Sequence, residues 1–295
     1  KSKAQILFFE KEKFNMCGIV GYVGENSASP ILIDGLKKLE YRGYDSAGIA
    51  VSENGKTDVV KTKGRIKNLE EKLEEVGGLS GTVGIGHTRW ATHGAPTDVN
   101  AHPHKGGNGR ITLVHNGIIE NYIELKTMLQ KGGYVFVSET DTEVLAHLFD
   151  YYYKGDLLDA MVNVMKTVRG SYAVAILADD KPGTIIAARK DSPLIVGLGD
   201  GENFLASDIP AVLKYTRDCY LLEDNQIAVL TKDNVTLYDT DKNVVKKDVY
   251  HVTWDVEAAE KCGYEHFMQK EIAEQPKAIH DTLSPRIKDG RVSIP

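Results

Sequence analysis

The stretch CGIVGYVG, residues 17 to 24, predicts a β-strand that begins directly at a cysteine and is punctuated by glycines. On its own, a cysteine at the start of a strand is most often a small buried hydrophobe. If Cys17 were instead the first residue of a mature chain, its α-amine, with a pKa of about 7.7–8.0, would lie beside the thiol. That amine would take the thiol proton near neutral pH, without a separate histidine base. The residues that accompany Cys17 therefore decide between a structural thiol and a nucleophile.

Helical and extended patterns follow this strand in separate blocks. Apolar residues at helical spacing predict helices over residues 31–39, 67–75, 119–130, 143–153 and 157–168, and a helix-rich tail over 264–283. Extended runs are predicted over residues 48–52, 57–61, 82–90 and 111–115, and after Gly170 in seven short segments, 172–178, 184–188, 194–198, 203–206, 218–222, 226–230 and 234–238. Ser138 or Thr140 is the expected cap of the helix at 143. Strands at both ends with helices between them predict an antiparallel α+β domain.

The composition restricts the class of protein. The chain has 295 residues, of which 42% are hydrophobic and 26% charged, and a formal net charge of -6, so a basic face for nucleic acid is not expected. It contains no run of about 18 apolar residues, as a membrane span needs, and no secretory signal is expected. Its three cysteines, Cys17, Cys219 and Cys262, form no Cys-x-x-Cys pair. A disulfide framework is therefore not expected, and the default is a cytoplasmic protein.

The tripeptide His115, Asn116, Gly117 follows one of the predicted strands. A tetrahedral intermediate carries negative charge on the former amide oxygen. The side-chain N–H of Asn116 and the backbone N–H of Gly117 are two suitable donors for that oxygen. Asn-Gly pairs also mark turns, and a turn is the competing interpretation.

The segment RWATHG, residues 89 to 94, opens a long irregular stretch that runs to Arg110. Loops of this length inside a compact domain are commonly functional. An arginine recognises a carboxylate bidentately, so Arg89 with a threonine hydroxyl suits the α-carboxylate of a free amino acid. A surface arginine on a capped loop is the alternative. Asp141 is a candidate for binding the α-ammonium group, and its alternative role is capping of the following helix.

Five histidines lie close in sequence, namely His87, His93, His102, His104 and His115. They show no His-Glu-x-x-His pattern and have no partner cysteine pair, so no metal site is expected. His102 and His104, which flank a proline, are expected to shape the loop. The glycines form no phosphate-cradling motif, and no cofactor is expected.

Five segments are distinctive in their order and spelling: CGIVGYVG from Cys17, LEYRGYDSAGIAV from Leu39, GIGHTRWATHGAPTDVNAHPH from Gly84, VHNGIIENY from Val114 and SETDTEV from Ser138. Together they strongly resemble the glutaminase domain of the glutamine–fructose-6-phosphate aminotransferases (isomerising), which are class II, or N-terminal cysteine, glutamine amidotransferases. The likeness runs from Cys17 to about Leu283. Other amidotransferases of this class share only the Cys-Gly-Ile start and an Asn-Gly element, so the resemblance is specific.

The resemblance implies a four-layer αββα sandwich of antiparallel sheets, the N-terminal nucleophile hydrolase fold. It implies hydrolysis of L-glutamine to L-glutamate and ammonia through a thioester on Cys17, with the freed α-amine as general base. Asn116 and Gly117 are similar to the family's oxyanion hole, and Arg42 is similar to an arginine that orders the nucleophile's surroundings. The residues expected to hold and enclose glutamine are Arg89, Trp90, Thr92, His93, Asp141 and the carbonyl of Gly117.

The expected domain division is an extension of uncertain origin over residues 1–16, a glutaminase domain over 17–260, and a tail and linker over 261–295. The extension would leave the nitrogen of Cys17 in a peptide bond, without a basic lone pair, so a chain that carries it is expected to be a poor glutaminase. The tail leads towards sugar isomerase domains that this chain lacks. In the full-length enzyme, expected to be a homo-oligomer, those domains would use the ammonia to make glucosamine 6-phosphate from fructose 6-phosphate in hexosamine biosynthesis.

Two alternatives stay open at this point. A different N-terminal nucleophile amidase would act on an amide without an amino-acid head group, and would not need Arg89 and Asp141. A non-catalytic glutamine-binding module would keep Cys17 blocked and silent. Release of glutamate from glutamine distinguishes both from a glutaminase.

Overall fold

The computed structural model describes residues 17–90, 94–254, 264, 267–288 and 291–292. The chain divides into a large unit that ends at Val252 and a small unit that starts at Thr253. Helices and strands are numbered below in chain order, within the described residues.

The larger sheet of the large unit has eight strands, all antiparallel to their neighbours. Their spatial order is β14 (Tyr250–His251), β11 (Asp218–Leu221), β9 (Ile195–Leu198), β10 (Asn203–Ala206), β1 (Gly18–Val23), β4 (Val83–Arg89), β2 (Ser46–Glu53) and β3 (Lys56–Lys63). The first strand therefore lies inside the sheet, between β10 and β4. All six of its residues are buried, which accounts for its continuous small and apolar sequence.

The smaller sheet has six antiparallel strands. Their order is β13 (Val235–Tyr238), β12 (Ile227–Leu230), β8 (Ile185–Lys190), β7 (Gly170–Ala178), β6 (Ile111–Ile119) and β5 (His104–Gly106). The longest ladder joins β6 to β7 over nine residue pairs, from Ile111 opposite Ala178 to Ile119 opposite Gly170. This ladder runs the full length of β6, so it fixes the register of the strand that carries Asn116.

The two sheets pack face to face through alternate residues of their strands. Ile19 and Ile85 of the larger sheet share one apolar cluster with Val114, Ala175 and Ala187 of the smaller sheet. Because side chains alternate along a strand, residues at even spacing from these positions face the same inter-sheet layer. His87 and Arg89 in β4 and Asn116 in β6 are therefore on the inner faces.

Helices cover the outer face of each sheet. On the larger sheet these are α1 (Ala28–Leu39) and α2 (Ile66–Glu75), and on the smaller sheet α3 (Tyr122–Lys131), α4 (Asp141–Tyr152) and α5 (Leu157–Thr167). Gly84 and Gly86 let α1 approach β4 closely, because an added Cβ would lie 2.8 Å from Leu32 and 3.0 Å from Leu36 respectively. This is the α+β, four-layer αββα sandwich that the resemblance implied.

The start of α3 is the clearest error of the sequence prediction. Ile119 was expected to begin a helix, but it is the last residue of β6. Its N–H donates to the carboxylate of Asp141 (2.9 Å), and the next N–H, of Glu120, donates to the carbonyl of Arg169 (2.9 Å). These two contacts extend the strand, so the helix begins only at Tyr122.

Other boundaries differ less. The stretch from Ala91 to Arg110 was expected to be irregular, yet it contains the short strand β5, whose pairing with β6 no local pattern indicated. Thr140, one of the two expected caps, accepts the N–H of Glu143 and caps α4.

Among the described residues, no helix is long and apolar enough to cross a membrane.

The small unit begins at Thr253. Within its described residues it contains α6 (Phe267–Leu283), a short 3-10 helix (Ser284–Arg286), and a hairpin of β15 (Ile287–Lys288) and β16 (Arg291–Val292). The helix expected over 264–283 is thus present from Phe267 onwards.

We expect Gly106→Ala to destabilise the large unit by about 3 kcal/mol, at the upper end of the usual cost of overpacking. An added Cβ at this position of β5 would lie 2.0 Å from the backbone carbonyl of Ala146 in α4, and neither backbone moves easily. Urea denaturation measures the loss. The matched control is Gly155→Ala, where φ is +97° but no atom lies within 4 Å of the added Cβ. It should cost only the conformational strain, about 1 kcal/mol. Equal losses in the two variants would contradict the close approach of α4 to β5.

Candidate active site

Cys17 lies directly before β1, at the end of the sandwich where β4 also ends. Gly18 pairs with Thr88, so Cys17 is placed beside the residues that follow β4. Its sulfur accepts the backbone N–H of Trp90 (3.2 Å) and lies 3.6 Å from the Trp90 carbonyl oxygen. The residue is half-buried. The thiol therefore has a fixed position, and the residue that carries it is partly exposed.

Asn116 brings the second sheet to this cysteine. Its side-chain Nδ2 donates to the carbonyl oxygen of Cys17 (2.8 Å), and the residue is 4% exposed. The asparagine belongs to β6, and the cysteine precedes β1 of the opposite sheet. The competing interpretation of Asn116–Gly117 as a turn is wrong, because both residues belong to β6.

Gly117 is exposed beside Asn116 and has a φ of +124°, which side chains rarely allow. An added Cβ would lie 2.2 Å from the carbonyl oxygen of Ser171. The backbone therefore leaves the regular extended conformation at Gly117, and two residues later the N–H of Ile119 donates to the carboxylate of Asp141.

Asp141 is buried at the first turn of α4. The alternative role as helix cap belongs to Thr140, so the carboxylate of Asp141 is directed at β6. Its negative charge is close enough to raise the pKa of Cys17 and that of Arg89. The three side chains that the sequence assigned to nucleophile, carboxylate recognition and ammonium recognition therefore lie near one another.

Arg89 is 4% exposed, so the alternative of a surface arginine is wrong. As the last residue of β4, it faces the inter-sheet layer and its guanidinium donates to the carbonyls of Gly94 (3.2 Å) and Ala95 (3.4 Å). Burial lowers the pKa of this guanidinium, which nevertheless keeps its charge because arginine starts so high. A buried cation next to a thiol is an uncommon arrangement for a purely structural residue.

Arg42 contacts the segment that pairs with the start of β1. Its guanidinium donates to the carbonyl of Ser207 (3.1 Å) and to the carboxylate of Asp208 (3.2 Å). The hydroxyl of Ser207 in turn accepts the N–H of Ile19 (2.9 Å) in β1. The arginine thus holds the corner that anchors the strand two residues after Cys17. No sequence signal pointed to Ser207 or Asp208.

Trp90 is half-buried and packs edge-on against Tyr44, with ring centroids 5.4 Å apart. Gly43 allows this segment to approach, because an added Cβ would lie 2.7 Å from the backbone nitrogen of Trp90. Thr92 and His93, the other predicted residues of this loop, lie outside the described residues.

Burial is the main influence on the Cys17 thiol and raises its pKa above the ordinary value. The N–H of Trp90 and the charge of Arg89 act in the opposite direction, and the charge of Asp141 adds to the rise. The net rise means that the thiol is protonated at neutral pH. Thiolate chemistry at this site therefore requires a group that takes the proton.

Three of the clustered histidines form a buried group next to the site. The ring centroids of His87 and His102 are 4.0 Å apart, and those of His102 and His104 are 5.0 Å apart in an edge-to-face arrangement. Burial lowers the pKa of His87 to about 3 and those of the other two well below the ordinary value, so all three are neutral. No group of three or more His, Cys, Asp or Glu residues with a metal-binding arrangement occurs in the described part of the chain.

The comparisons with known proteins agree on the class of this arrangement. The glutamine amidotransferase domain family matches residues 87–214. A solved glutamine phosphoribosylpyrophosphate amidotransferase from B. subtilis has 28% identity and a TM-score of 0.66, over 77% of this chain and 50% of its own. A glutamine aminotransferase class-II domain protein from Silicibacter pomeroyi has a TM-score of 0.54 at 13% identity, over 76% of this chain and 99% of its own, and supports the fold alone. Residues 87–214 therefore match a glutamine amidotransferase domain, and the large unit is similar in structure to enzymes of this class.

The curated relatives that match most of this chain share one enzyme name. Glutamine–fructose-6-phosphate aminotransferase [isomerizing] from Clostridium tetani is 60% identical over 94% of this chain, and that from Clostridium perfringens is 61% identical over the same share. The enzyme of the same name from Thermus thermophilus is 54% identical over 95% of this chain. The chain spans about half the length of these relatives, 45% in the first two cases.

We expect the charges around Cys17 to change its alkylation rate in opposite directions. Arg89→Met removes the cation that lowers the pKa of the thiol, so alkylation by iodoacetamide at pH 8 should slow several-fold. Asp141→Asn removes a charge that raises this pKa and should accelerate the reaction. Mass spectrometry of the Cys17 peptide gives both rates. Arg169→Met, which loses only an exposed pair with Glu124, is the control and should leave the rate unchanged. Changes of the same sign in the first two variants would refute the proposed electrostatics.

Proposed function

We propose that the large unit hydrolyses L-glutamine to L-glutamate and ammonia through a thioester on Cys17. The observation that carries the proposal is the contact between the two sheets at the cysteine. The amide of Asn116 donates to the backbone carbonyl of Cys17, the N–H of Trp90 donates to its sulfur, and the charges of Arg89 and Asp141 both act on the thiol. A nucleophile, a set of oxyanion donors and two opposite charges for an amino acid are what this reaction requires.

In the proposed reaction, the sulfur of Cys17 attacks the side-chain amide carbon of glutamine and its proton passes to a base. The resulting oxyanion is held by the second N–H of the Asn116 amide and by the backbone N–H of Gly117. Collapse of this intermediate breaks the C–N bond and releases ammonia, which carries the transferred proton. Water then attacks the thioester carbon, and glutamate leaves as the sulfur regains a proton.

The base in this proposal is the α-amine of Cys17 itself. Its ordinary pKa of about 7.7–8.0 suits proton exchange near neutral pH. The raised pKa of the thiol makes such a base necessary. The mechanism therefore requires a chain in which Cys17 is the first residue, and uses no metal or cofactor.

Substrate recognition is proposed to use the opposite charges at the site. Arg89, with Thr92 and His93, would bind the α-carboxylate, while Asp141 and the carbonyl of Gly117 would bind the α-ammonium group. Arg89 donates to two backbone carbonyls in the structure, and a carboxylate is a stronger acceptor for the same guanidinium. Trp90 would close over the bound substrate and exclude water.

The wider role rests on the similarity to the longer relatives. We propose that the ammonia serves the synthesis of glucosamine 6-phosphate from fructose 6-phosphate, in a cytoplasmic, homo-oligomeric enzyme of hexosamine biosynthesis. The partner would be the C-terminal sugar isomerase domains, joined through a linker in residues 261–295 to a glutaminase domain over 17–260. In this division residues 1–16 are an extension that must be removed for activity.

The decisive experiment is to measure glutamate release before and after trimming to Cys17. The trimmed chain should turn over glutamine, and the chain that retains residues 1–16 should show little activity, because its cysteine nitrogen is an amide. Cys17→Ser in the trimmed chain is the control and should lose nearly all turnover, since a hydroxyl is a far weaker nucleophile. No glutamate from the trimmed wild-type chain would overturn the function. Full activity of a chain that mass spectrometry shows to retain Lys1 would overturn the amine as base.

We expect Arg89→Met and Asp141→Asn to raise the KM for glutamine, by about 10- to 100-fold each, as expected for loss of a charge-assisted hydrogen bond. Arg169→Met provides the matched control, because its exposed ion pair contributes little. Steady-state glutamate release measures the effect. An unchanged KM in both variants would favour an amidase that does not recognise an amino-acid head group.

A further inference from the structure

We propose that His87 is a positioning residue for the oxyanion hole, since its Nε2–H fixes the Asn116 carboxamide in the one orientation that directs the amide nitrogen to the reaction site. This inference rests on the proposed glutaminase function and assigns a role to a residue that the reaction scheme does not use. Nε2 of His87 lies 3.0 Å from the carbonyl oxygen of His115 and 2.9 Å from Oδ1 of Asn116.

The contacts determine which ring nitrogen carries the proton. A backbone carbonyl only accepts hydrogen bonds, so the contact with His115 requires a hydrogen on Nε2 of His87. The same hydrogen faces the Asn116 side chain, and the facing atom must therefore be an acceptor. Oδ1 satisfies this condition and Nδ2 does not. One carbonyl of β6 thus determines the tautomer of a histidine in β4.

The opposite end of the carboxamide gives the same orientation. Nδ2 of Asn116 faces the carbonyl oxygen of Cys17 at 2.8 Å, and that contact requires a donor. A flipped amide would place N–H against N–H at His87 and oxygen against oxygen at Cys17. Each end would then leave a buried polar group unsatisfied, at a cost of about 1–3 kcal/mol. Because the two ends of an amide are nearly identical in shape, these contacts rather than packing select the orientation.

The ring of His87 is held firmly enough to keep the Asn116 carboxamide in this orientation. The residue is 0% exposed, belongs to a strand inside the larger sheet, and has its ring 4.0 Å from that of His102. Its Nδ1 is buried and has no hydrogen-bond partner among the residues that the structure describes. Burial keeps the ring neutral. His87 therefore holds a proton at a fixed atom instead of exchanging it with the substrate.

The consequence is specific to the transition state. Nδ2 of Asn116 has two hydrogens, and one is used by Cys17. With the orientation fixed, the second hydrogen is available to the oxyanion that forms next to the sulfur. Glutamine in the ground state carries no such charge, so loss of the His87 N–H should lower kcat and leave KM nearly unchanged.

The test compares His87→Leu, which removes the N–H, with His87→Gln, which places an amide N–H at a similar reach. In the chain trimmed to Cys17, we expect His87→Leu to lower kcat by about 10²-fold, as for a displaced donor. KM should stay nearly constant, and His87→Gln should restore most of kcat. A purely structural role would instead give parallel losses in both variants, with a changed KM and a lower denaturation midpoint. That pattern would overturn the proposal.

A double-mutant cycle tests whether His87 acts through Asn116. We expect Asn116→Ala alone to lower kcat by about 10²- to 10³-fold. Adding His87→Leu should then change kcat very little, because the group that the histidine orients is gone. Multiplying losses would refute the proposed connection.

The tautomer is measurable without any activity. Nitrogen-15 NMR of the imidazole in the wild-type chain should show a neutral ring with the hydrogen on Nε2. A hydrogen on Nδ1 would overturn the proposal even in an active enzyme. Conversely, a trimmed chain that releases no glutamate would refute the proposed function, and the tautomer would still decide whether the arrangement at Asn116 exists.

Discussion

The hydrogen bond from the Asn116 amide to the carbonyl of Cys17 is the interaction on which the site depends. It joins the first residue before β1 to the middle of β6, in the opposite sheet. Neither sheet alone contains both the thiol and the proposed oxyanion donors. The chemistry therefore depends on how the two sheets are offset, and that offset is set by the core between them. A shift of about 1 Å would separate a nucleophile from its donors without unfolding the protein.

Small residues and glycines keep this geometry rigid. Alanines at 173, 175 and 187 let the sheets pack closely, while Gly43 and Gly117 let backbone segments meet at the site. The N–H of Ile19 in β1 donates to the hydroxyl of Ser207, and Arg42 donates to the carbonyl of Ser207. These hydrogen bonds fix the start of the strand that follows Cys17. Packed interiors deform little, so these contacts fix the position of Cys17 relative to the core. Residues that take no part in the proposed reaction thus determine the distances between the residues that do.

Much of this arrangement was predictable from local sequence, and the failures have a common physical cause. The helices and strands followed largely from apolar spacing, and the motifs together with the family resemblance supplied the candidate site residues. Ile119 was misassigned because its strand continues through contacts with Asp141 and the neighbouring strand, which are far apart in sequence. Strand β5 was missed for the same reason. His87 had one available signal, since it lies two residues before Arg89 on the same strand face. Its partner in β6 could not be inferred without the fold.

The burial of the site limits which group can act as the base in the proposed reaction. Burial raises the pKa of the thiol, and it also lowers those of His87, His102 and His104. The same dry environment that makes the nucleophile hard to deprotonate therefore removes these imidazoles as proton acceptors. An amine on the cysteine itself avoids the conflict, because it lies next to the sulfur at the half-buried edge of the site. The histidines remain useful in this environment for another reason. A neutral ring that does not titrate keeps its hydrogen on one nitrogen, which is the property needed to orient an amide.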